Sequence, residues 1–224
     1  MTRLLVLVEG QSEEVFVNRT LAPHLAAHGV FVAKPILIWT KRLAGGGGHR
    51  GGVSHYQQIR NSLDPLLRNT VAWVTTLIDY YALPADFPGL AASSGLIDPK
   101  KKVAAITQAF AEDVAHPRFL PFLALHELEA WLFASPHSVA RHFDKAGLTS
   151  RMQAMLTAAG EVELINGEPA THPKARICSL VPTYKEVADG AIILGKIGVE
   201  PIRASCPHFA RWLGQLEALG SPVV

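Results

Sequence analysis

The sequence predicts an α/β protein with an open, mostly parallel sheet that is flanked by helices. An uninterrupted apolar run at residues 4–8 has the composition of a strand that is buried on both faces, and further largely apolar runs lie at residues 71–78 and 120–125. Segments with helical spacing of apolar residues separate these runs, and this alternation is typical of a parallel sheet. The 224 residues, of which 49% are hydrophobic and 18% charged, suffice for one such domain with an elaboration.

The first apolar run ends at Glu9, and a helix is predicted directly after it, over residues 12–28. Ser12 is a favourable N-cap residue, because its hydroxyl can accept a hydrogen bond from a free backbone N–H group. Glu13 and Glu14 follow on the first turn, where negative charge suits the positive end of the helix dipole. The dipole accounts for Glu14, whereas Glu9 and Glu13 are expected to face the same crevice.

The remaining elements continue the alternation of strands and helices. They are a strand at residues 30–39, a helix at 54–67, a strand at 71–78, a helix at 100–115, a strand at 120–125, further helices between 130 and 156, a short helix near 177, another at 184–194, and a last amphipathic helix at 207–219. We therefore predict a core α/β unit at residues 1–135, with a mostly helical C-terminal elaboration packed on it at residues 136–224.

Composition and charge narrow the class of protein. The first strand begins almost at the start of the sequence, so no signal peptide is expected, and no apolar run reaches the roughly 18 residues of a membrane span. The two cysteines, Cys178 and Cys206, form no zinc-binding pattern and give no sign of export. We therefore expect a cytoplasmic protein without a membrane partner. A net charge of +2 is compatible with a nucleic-acid partner but does not establish one.

Acidic residues follow three of the predicted strands. Glu9 follows the first strand, Asp79 follows the third, and either Glu127 or Glu129 follows the fourth. Because the carboxyl ends of parallel strands meet at one edge of a sheet, we expect these carboxylates to converge. Like charges at close range cannot all stay ionised unless a cation neutralises them, and oxygen ligands favour Mg²⁺ or Mn²⁺. The alternative is that each acid only caps a helix.

The pair Glu127 and Glu129 leaves two possibilities open. Positions two apart point in nearly opposite directions on a helix but share a face in an extended strand. Both side chains are therefore expected to reach the cation only if the strand continues through residue 129. Otherwise one of them binds, and the other caps a helix or pairs with a basic neighbour.

Several stretches of the sequence resemble a known group of proteins. They are LVEGQSEE at residues 7–14, LIDYYALP at 77–84, LHELEAWLF at 125–133, PKARI at 173–177 and ASCPHF at 204–209. The first three resemble the Toprim domain of topoisomerases, primases and overcoming-lysogenisation-defect nucleases. All five are similar to an uncharacterised bacterial family of unknown function that is placed with Toprim-like proteins. The resemblance implies a Toprim-like sheet and covers most of the chain.

The Toprim resemblance implies roles for individual residues. Glu9 matches the first-strand glutamate, which binds metal or acts as general acid or base, and Glu13 matches the second acid of the nuclease-type motif. Asp79 matches the first aspartate of the Asp-x-Asp metal motif, but Tyr81 stands where the second aspartate belongs. Glu127, Glu129 or Asp86 are the substitutes that the sequence offers. The missing second aspartate favours a site for one metal ion, or a site whose second metal ion binds together with the substrate.

Two basic or glycine-rich features are candidates for binding phosphate. Gly46, Gly47, Gly48 and Arg50 lie between the second strand and a helix, where backbone amides can approach a phosphate closely. The segment lacks the Gly-Lys-Ser/Thr ending of a P-loop, and a flexible turn is the alternative. Lys174 becomes a catalytic candidate, with a charge to hold phosphate, only through its place in the family-like stretch PKARI.

These features lead to three hypotheses of function. The first is a Mg²⁺- or Mn²⁺-dependent phosphodiester hydrolase that cleaves DNA or RNA. The second is a non-catalytic nucleic-acid or partner-binding module, such as the accessory subunit of a bacterial phage-defence system with an ATPase partner, and Tyr81 favours it. The third and weaker hypothesis is a small-molecule phosphatase.

Overall fold

The protein is described by a computed structural model that covers residues 1–39, 53–69, 71–165 and 171–221. Within these ranges six strands form one open sheet in which every strand pair is parallel. The strands are β1 Thr2–Val8, β2 Val30–Val32, β3 Ile36–Leu37, β4 Trp73–Asp79, β5 Phe119–Leu120 and β6 Leu123–Ala124. The predicted α/β class with a mostly parallel sheet is confirmed, and the arrangement is consistent with a Toprim-like fold.

The two long strands, β1 and β4, form the centre of the sheet. Strands β2 and β3 both pair with the outer edge of β1, and β5 and β6 both pair with the outer edge of β4. Val8 of β1 is level with Leu77 of β4, and Asp79 of β4 is level with Ala124 of β6. The carboxyl ends of β1, β4 and β6 therefore lie side by side.

Two predicted strands are each split into two short ones. The strand expected at residues 30–39 is interrupted before Pro35, and the strand expected at 120–125 is interrupted at Pro121. Proline has no N–H group to donate to a neighbouring strand and restricts the residue before it, so ladder pairing is lost at both positions. The prediction of continuous strands was wrong at both places, because each apolar run contains a proline that cannot take part in the ladder.

Helices cover both faces of the sheet. The α-helices in the described residues are α1 Gln11–Phe16, α2 Ala22–Ala27, α3 Tyr56–Leu67, α4 Pro99–Val114, α5 Pro136–Phe143, α6 Leu148–Ala159, α7 Pro173–Leu180, α8 Ala191–Ile197, α9 Val199–Ser205 and α10 Pro207–Ala218. A π-helical segment, Val17–Leu21, joins α1 to α2, and another lies at Glu186–Gly190. Short 3₁₀ helices lie at Tyr80–Ala82, Leu128–Ala134 and Val162–Leu164. None of the helices in the described ranges combines the length and apolar character needed to cross a membrane.

A separate hydrophobic cluster lies on each face of the sheet. Leu4, Val6 and Val8 of β1 join the cluster that includes the C-terminal helices, whereas Leu5 and Leu7 join the cluster beneath α3 and α4. A strand covered on both faces explains the uninterrupted apolar run in the sequence.

The C-terminal helices pack directly against the first part of the chain. The ring of Phe209 in α10 lies 4.8 Å from that of Trp131 and 6.4 Å from that of Phe16, measured between centroids. These aromatic residues are fully or almost fully buried. The division into a core at residues 1–135 and an elaboration at 136–224 stays a prediction.

Two threonine side chains of β4 form hydrogen bonds with the backbone on either side of Pro121, where the strand pairing is interrupted. The Thr76 hydroxyl donates to the Phe122 carbonyl at 2.8 Å and accepts from the Phe122 N–H at 2.9 Å, in a buried position. The Thr75 hydroxyl donates to the Leu120 carbonyl at 2.5 Å and accepts from the Trp212 indole N–H at 2.9 Å. The side chains therefore supply the hydrogen bonds that the broken ladder lacks.

We expect Thr76→Val to lower the free energy of unfolding by about 1–3 kcal/mol, because it leaves the buried Phe122 N–H and carbonyl without a partner. Denaturant unfolding measures the change. Thr107→Val is the control, since that hydroxyl only donates to the Val103 carbonyl of its own helix. Equal stability of wild type and Thr76→Val would show that the hydroxyl does not replace the ladder.

Candidate functional site

The structure brings acidic residues together at the carboxyl ends of the strands. Glu9 directly follows β1, and Asp79 is the last residue of β4. The Asp79 backbone N–H donates to the Glu9 carboxylate at 3.3 Å, and the Glu9 N–H donates to the Leu77 carbonyl at 3.3 Å. These two carboxyl-bearing residues therefore sit next to each other on neighbouring strands, which is the edge where open parallel sheets bind ligands.

Glu13 lies on the first turn of α1 and faces the same edge. Its residue is only 6% exposed, so its carboxyl group is held away from solvent. Gly10 leaves room for it: a Cβ atom at Gly10 would lie 3.0 Å from a Glu13 carboxylate oxygen. This glycine between the strand and the helix therefore allows the acidic side chain to fold back over the strand end.

Ser12 does not cap the helix as predicted. The N-cap residue is Gly10, and the Ser12 hydroxyl instead donates to the carboxylate of Glu186 at 3.0 Å. The helix begins one residue earlier than the sequence pattern indicates, at Gln11, which places Ser12 inside the first turn and turns its hydroxyl to a distant part of the chain.

Glu127 and Glu129 both reach the site, although the strand ends well before them. Strand β6 stops at Ala124, Glu127 has extended backbone with φ −133° and ψ 159°, and a 3₁₀ helix begins at Leu128. Both carboxylates lie close enough to Asp79 to raise its pKa. The change from extended to helical backbone between the two residues lets both side chains lie near Asp79, and the binding of one or both to a cation stays a prediction.

Hydrogen bonds hold these two carboxylates in place. Glu127 accepts from the His172 ring at 2.9 Å and from the Lys174 backbone N–H at 3.1 Å, both at the start of α7. Glu129 is 5% exposed and accepts from the Tyr184 hydroxyl at 3.0 Å. The Tyr184 hydroxyl group fits in this position because residue 190 is a glycine. A Cβ atom at Gly190 would lie 2.4 Å from the hydroxyl oxygen.

Glu186 joins the acidic centre from the C-terminal part of the chain. It accepts hydrogen bonds from the Ser12 hydroxyl and from the Lys174 ammonium group. Its charge raises the pKa of Glu9, Glu13 and Glu129. Glu186, His172 and Tyr184 were not among the predicted site residues, because none of them follows a predicted strand. For His172 the one sequence signal is the family-like stretch that begins at residue 173.

The buried carboxyl groups are poised to bind protons or a cation. Burial, together with the charge of Glu13, raises the pKa of Glu9 from its ordinary value of 4.5 to about 7. Burial, followed by the charge of Glu186, raises the pKa of Glu129 to about 8. Burial and then the charges of Glu13 and Glu9 raise the pKa of Asp79 well above its usual range. Each of these shifts reports the cost of placing several negative charges in one poorly solvated place.

One carboxyl oxygen atom in the site lacks a hydrogen-bond partner within the part of the chain that the structure describes. Asp79 Oδ1 is buried and has no hydrogen-bond partner among the described residues. A buried polar atom without a partner costs free energy, and a divalent cation coordinated by that oxygen would remove the cost. The donor set of carboxylate oxygens suits Mg²⁺ or Mn²⁺.

The ligand atoms of the acidic side chains are not packed closely together. Among the described residues, the one set of three His, Cys, Asp or Glu side chains whose ligand atoms all lie within 4.8 Å of one another is found elsewhere, at His24, His28 and Glu217. Repulsion between carboxylates opposes a tighter cluster until a cation offsets it. A bound cation would therefore have to draw the acidic side chains together.

Lys174 supplies positive charge at the rim of the site. Partial burial alone would lower the pKa of this ammonium group, but the hydrogen bond and the charge of Glu186 raise it on balance. Its side chain is 42% exposed, so it borders both the acidic centre and solvent. Lys174 is thus protonated and lies next to the acidic centre.

Tyr81, which stands at the position of the missing aspartate, and Asp86, one of its predicted substitutes, differ from the acids described above. Tyr81 is 44% exposed, and its ring is stacked on that of His172, with centroids 6.0 Å apart and planes 21° from parallel. Asp86 is not brought to the acidic centre: it accepts from the Tyr56 N–H at 2.9 Å, at the start of α3. The suggestion that Asp86 replaces the second aspartate was therefore wrong. The predicted phosphate-binding residues lie outside the described residues: Gly46, Gly47, Gly48 and Arg50.

The raised pKa values predict how stability depends on pH. An acid whose pKa rises on folding holds its proton more tightly in the folded state. Its contribution to the free energy of unfolding is therefore fully present below the unfolded pKa and is lost as pH rises through the folded pKa. The loss therefore occurs between about pH 4.5 and pH 7 for Glu9, and between about pH 4.5 and pH 8 for Glu129. We expect metal-free protein to lose stability across this pH range, and Glu129→Gln to lose less.

Denaturant unfolding at several pH values, with and without excess Mg²⁺, measures this effect. Glu129→Gln keeps an oxygen that can accept from the Tyr184 hydroxyl, so the comparison isolates the charge. Mg²⁺ should flatten the pH dependence of the wild type, because the cation offsets the repulsion that the protons otherwise remove. An identical pH dependence in wild type and variant would mean that Glu129 is not under electrostatic strain.

The fold and the site together define a parallel α/β protein with an acidic centre at the carboxyl ends of adjacent strands. The chain belongs to the family described as Domain of unknown function (DUF4276), whose profile matches residues 8–217. The predicted membership of an uncharacterised family is thereby confirmed. No protein with a curated description matches the sequence.

Solved structures with a similar course of the chain come from OLD proteins. The C-terminal region of the Burkholderia pseudomallei OLD protein is 14% identical, with a TM-score of 0.45 over 99% of this chain and 100% of that one. The C-terminal region of the Xanthomonas campestris pv. campestris OLD protein is also 14% identical, with a TM-score of 0.45 over 98% of this chain and 94% of that one.

Proposed function

We propose that this protein is a metal-dependent phosphodiester hydrolase that acts on nucleic acid. The observation that supports this proposal most is the buried acidic centre, in which Glu9, Asp79 and Glu129 have raised pKa values and Asp79 Oδ1 lacks a partner. Such an arrangement is unfavourable for stability alone, because like charges are buried together. It becomes favourable once a divalent cation is bound, and perturbed groups of this kind cluster at functional sites.

The residues divide into ligands and groups that handle the substrate. Asp79, Glu13 and Glu9 would hold Mg²⁺ or Mn²⁺, with Glu127 and Glu129 on the side of β6. When bound, the cation supplies a water of lowered pKa and stabilises negative charge on the phosphate. Glu9 would act either as a ligand of the cation or as the general base that takes a proton from the attacking water.

Lys174 would hold the phosphate of the substrate. Its ammonium group now donates to Glu186, so an incoming phosphate would share or replace that partner. Charge-assisted hydrogen bonds of this kind are stronger than neutral ones and orient the phosphate next to the acidic centre. The resemblance of residues 7–14 and 77–84 to Toprim motifs supports nucleic acid as the substrate class.

Tyr81 favours a second candidate function, a nucleic-acid or partner-binding module without catalysis. The position that the resemblance assigns to a second aspartate carries a phenol ring that stacks on His172 instead of an oxygen ligand. In this alternative the protein binds its partner and does not cleave. An ATPase partner in bacterial phage defence belongs to this part of the proposal, and a neighbouring gene for an ATPase would support it.

Incubation with single- and double-stranded DNA and RNA, with Mg²⁺ and with Mn²⁺, distinguishes the candidates. The hydrolase proposal predicts metal-dependent shortening of at least one nucleic acid. Binding of nucleic acid without any shortening would favour the binding module, and Tyr81→Asp then tests whether a second carboxylate restores cleavage. Hydrolysis of small phosphate esters alone would instead identify a phosphatase.

A further inference from the structure

A second cluster of potential metal ligands lies at the opposite end of the sheet from the acidic centre. His24 of α2 and His28, which ends that helix, present their Nε2 atoms to the same carboxylate oxygen of Glu217 in α10. The distances from Nε2 to Glu217 Oε1 are 2.6 Å for His24 and 3.6 Å for His28. All three ligand atoms lie within 4.8 Å of one another.

The backbone around this cluster is firmly placed. His28 is followed by Gly29 and then by β2, and the Thr2 hydroxyl at the start of β1 donates to the Leu219 carbonyl just after α10 at 2.8 Å. The cluster therefore sits at the amino ends of β1 and β2, where the first helical segment meets the last one. Its ligands are not shared with the acidic centre.

The spacing of the two histidines suits a metal ion. Residues four apart on a helix lie on the same face, and the two imidazole rings are 4.8 Å apart between centroids. Two histidines at this spacing plus one carboxylate form a common zinc ligand set, with room for a water as fourth ligand. Zinc–ligand distances of about 2.0–2.2 Å place neighbouring ligand atoms of a tetrahedron about 3.3–3.6 Å apart. The His28 distance to Glu217 already fits, and the His24 distance must lengthen by less than about 1 Å.

Exposure and charge are compatible with entry of an ion. The His28 side chain is 42% exposed, whereas those of His24 and Glu217 are 17% and 16% exposed. The Glu217 carboxylate accepts hydrogen bonds from His24 and Arg203, so the fold holds it in a fixed position beside the histidines. An ion can therefore approach through His28 and meet two ligands that the fold already holds.

Arg203 is a neighbour that opposes a cation. Its guanidinium group donates to the same Glu217 oxygen and also lies 3.5 Å from a carboxylate oxygen of Glu200. Glu200 gives the guanidinium an alternative partner when Glu217 turns to an ion. Removing the Arg203 charge should then tighten metal binding, since one positive charge no longer competes for the carboxylate.

We propose that His24, His28 and Glu217 bind a divalent transition metal of the Zn²⁺ type and that this ion fastens α10 to the end of α2. Borderline imidazole ligands distinguish this site from the all-oxygen acidic centre, so the two sites are expected to prefer different metals. The ion would stabilise the folded chain in proportion to its free concentration, because the unfolded chain does not hold the three ligands together.

Calorimetric titration of the full chain with Zn²⁺, in buffer that contains excess Mg²⁺ to occupy the acidic centre, tests the proposal. We expect wild type to bind one equivalent, and His28→Ala to bind at least about 10-fold more weakly, since even residues that only support ligands change affinity by 10–100-fold. Titration with Co²⁺ should give the intense visible absorption of a tetrahedral site in wild type and not in His28→Ala.

His137→Ala is the matched control, because His137 is an exposed histidine on α5, away from this cluster. It should keep the Zn²⁺ affinity of the wild type, and Zn²⁺ should raise the melting temperature of both. Arg203→Ala should bind Zn²⁺ at least as tightly as wild type. The proposal is overturned if wild type binds no Zn²⁺ under these conditions, or if His28→Ala and His137→Ala bind it equally well. The cluster would then be an ion-pair network only.

Discussion

Replacing Glu9 by glutamine is expected to abolish most of the metal-dependent cleavage of nucleic acid while the protein stays folded. Glutamine has nearly the same shape and keeps an oxygen that can accept from the Asp79 N–H. It cannot take up a proton as a base and carries no charge for a cation. Loss of general-base action alone typically costs about 10²- to 10⁴-fold in rate. Initial rates with Mn²⁺ and Mg²⁺, measured with circular dichroism on the same samples, give the comparison.

Glu14→Gln is the matched control for that experiment. Glu14 lies on the same turn of α1 as Glu13, but adjacent positions on a helix point in different directions. Its replacement removes one charge near the site without removing a member of the acidic centre, so the rate should change little. Full activity in a folded Glu9→Gln protein would mean that Glu9 takes no part in the reaction.

Asp79→Asn is expected to have opposite effects on metal binding and on stability. The carboxyl group of Asp79 lies among Glu9, Glu13, Glu127 and Glu129, all of which raise its pKa. Asparagine removes the charge that a hard cation requires, so we expect at least about 10-fold weaker Mg²⁺ or Mn²⁺ binding. Without metal, the same change removes repulsion between buried carboxyl groups and should raise the free energy of unfolding above neutral pH.

Calorimetric titration and denaturant unfolding of the same two proteins measure both effects. Asp64→Asn is a suitable control, because Asp64 forms a partly exposed pair with Arg60 at 2.9 Å on the surface of α3. Exposed ion pairs of this kind contribute about 0–1 kcal/mol to the free energy of unfolding, and this pair is remote from the acidic centre. Unchanged metal affinity in Asp79→Asn would remove Asp79 from the site, and a loss of metal-free stability would contradict the repulsion described above.

The parts of the site that the sequence predicts are those that depend on strand order alone. Glu9 and Asp79 end apolar runs, and parallel pairing of β1 with β4 necessarily puts the ends of such runs side by side. The same reasoning predicts that the acids after β6 lie nearby. The class of fold follows from these runs as well, since strands covered on both faces are apolar along most of their length and alternate here with helical segments.

Other parts depend on packing that periodicity does not reveal. Glu186 meets Ser12 only because the C-terminal helices pack across α1, and nothing in the local sequence of either residue specifies that contact. Tyr184 becomes a partner of Glu129 only because Gly190 leaves space for its hydroxyl. Contacts between residues far apart in the chain are set by the assembled core, so a single sequence gives no local signal for them.

The central claim is that the acidic centre binds a divalent cation, and anomalous diffraction from crystals grown or soaked with Mn²⁺ tests it most directly. We expect an anomalous peak within coordination distance of Asp79 and Glu9, with Glu13 or a carboxylate from the β6 side completing the shell. The peak should be absent from crystals of Asp79→Asn treated in the same way. No peak at this position in wild-type crystals at saturating Mn²⁺, with the carboxylates clearly resolved, would contradict the claim.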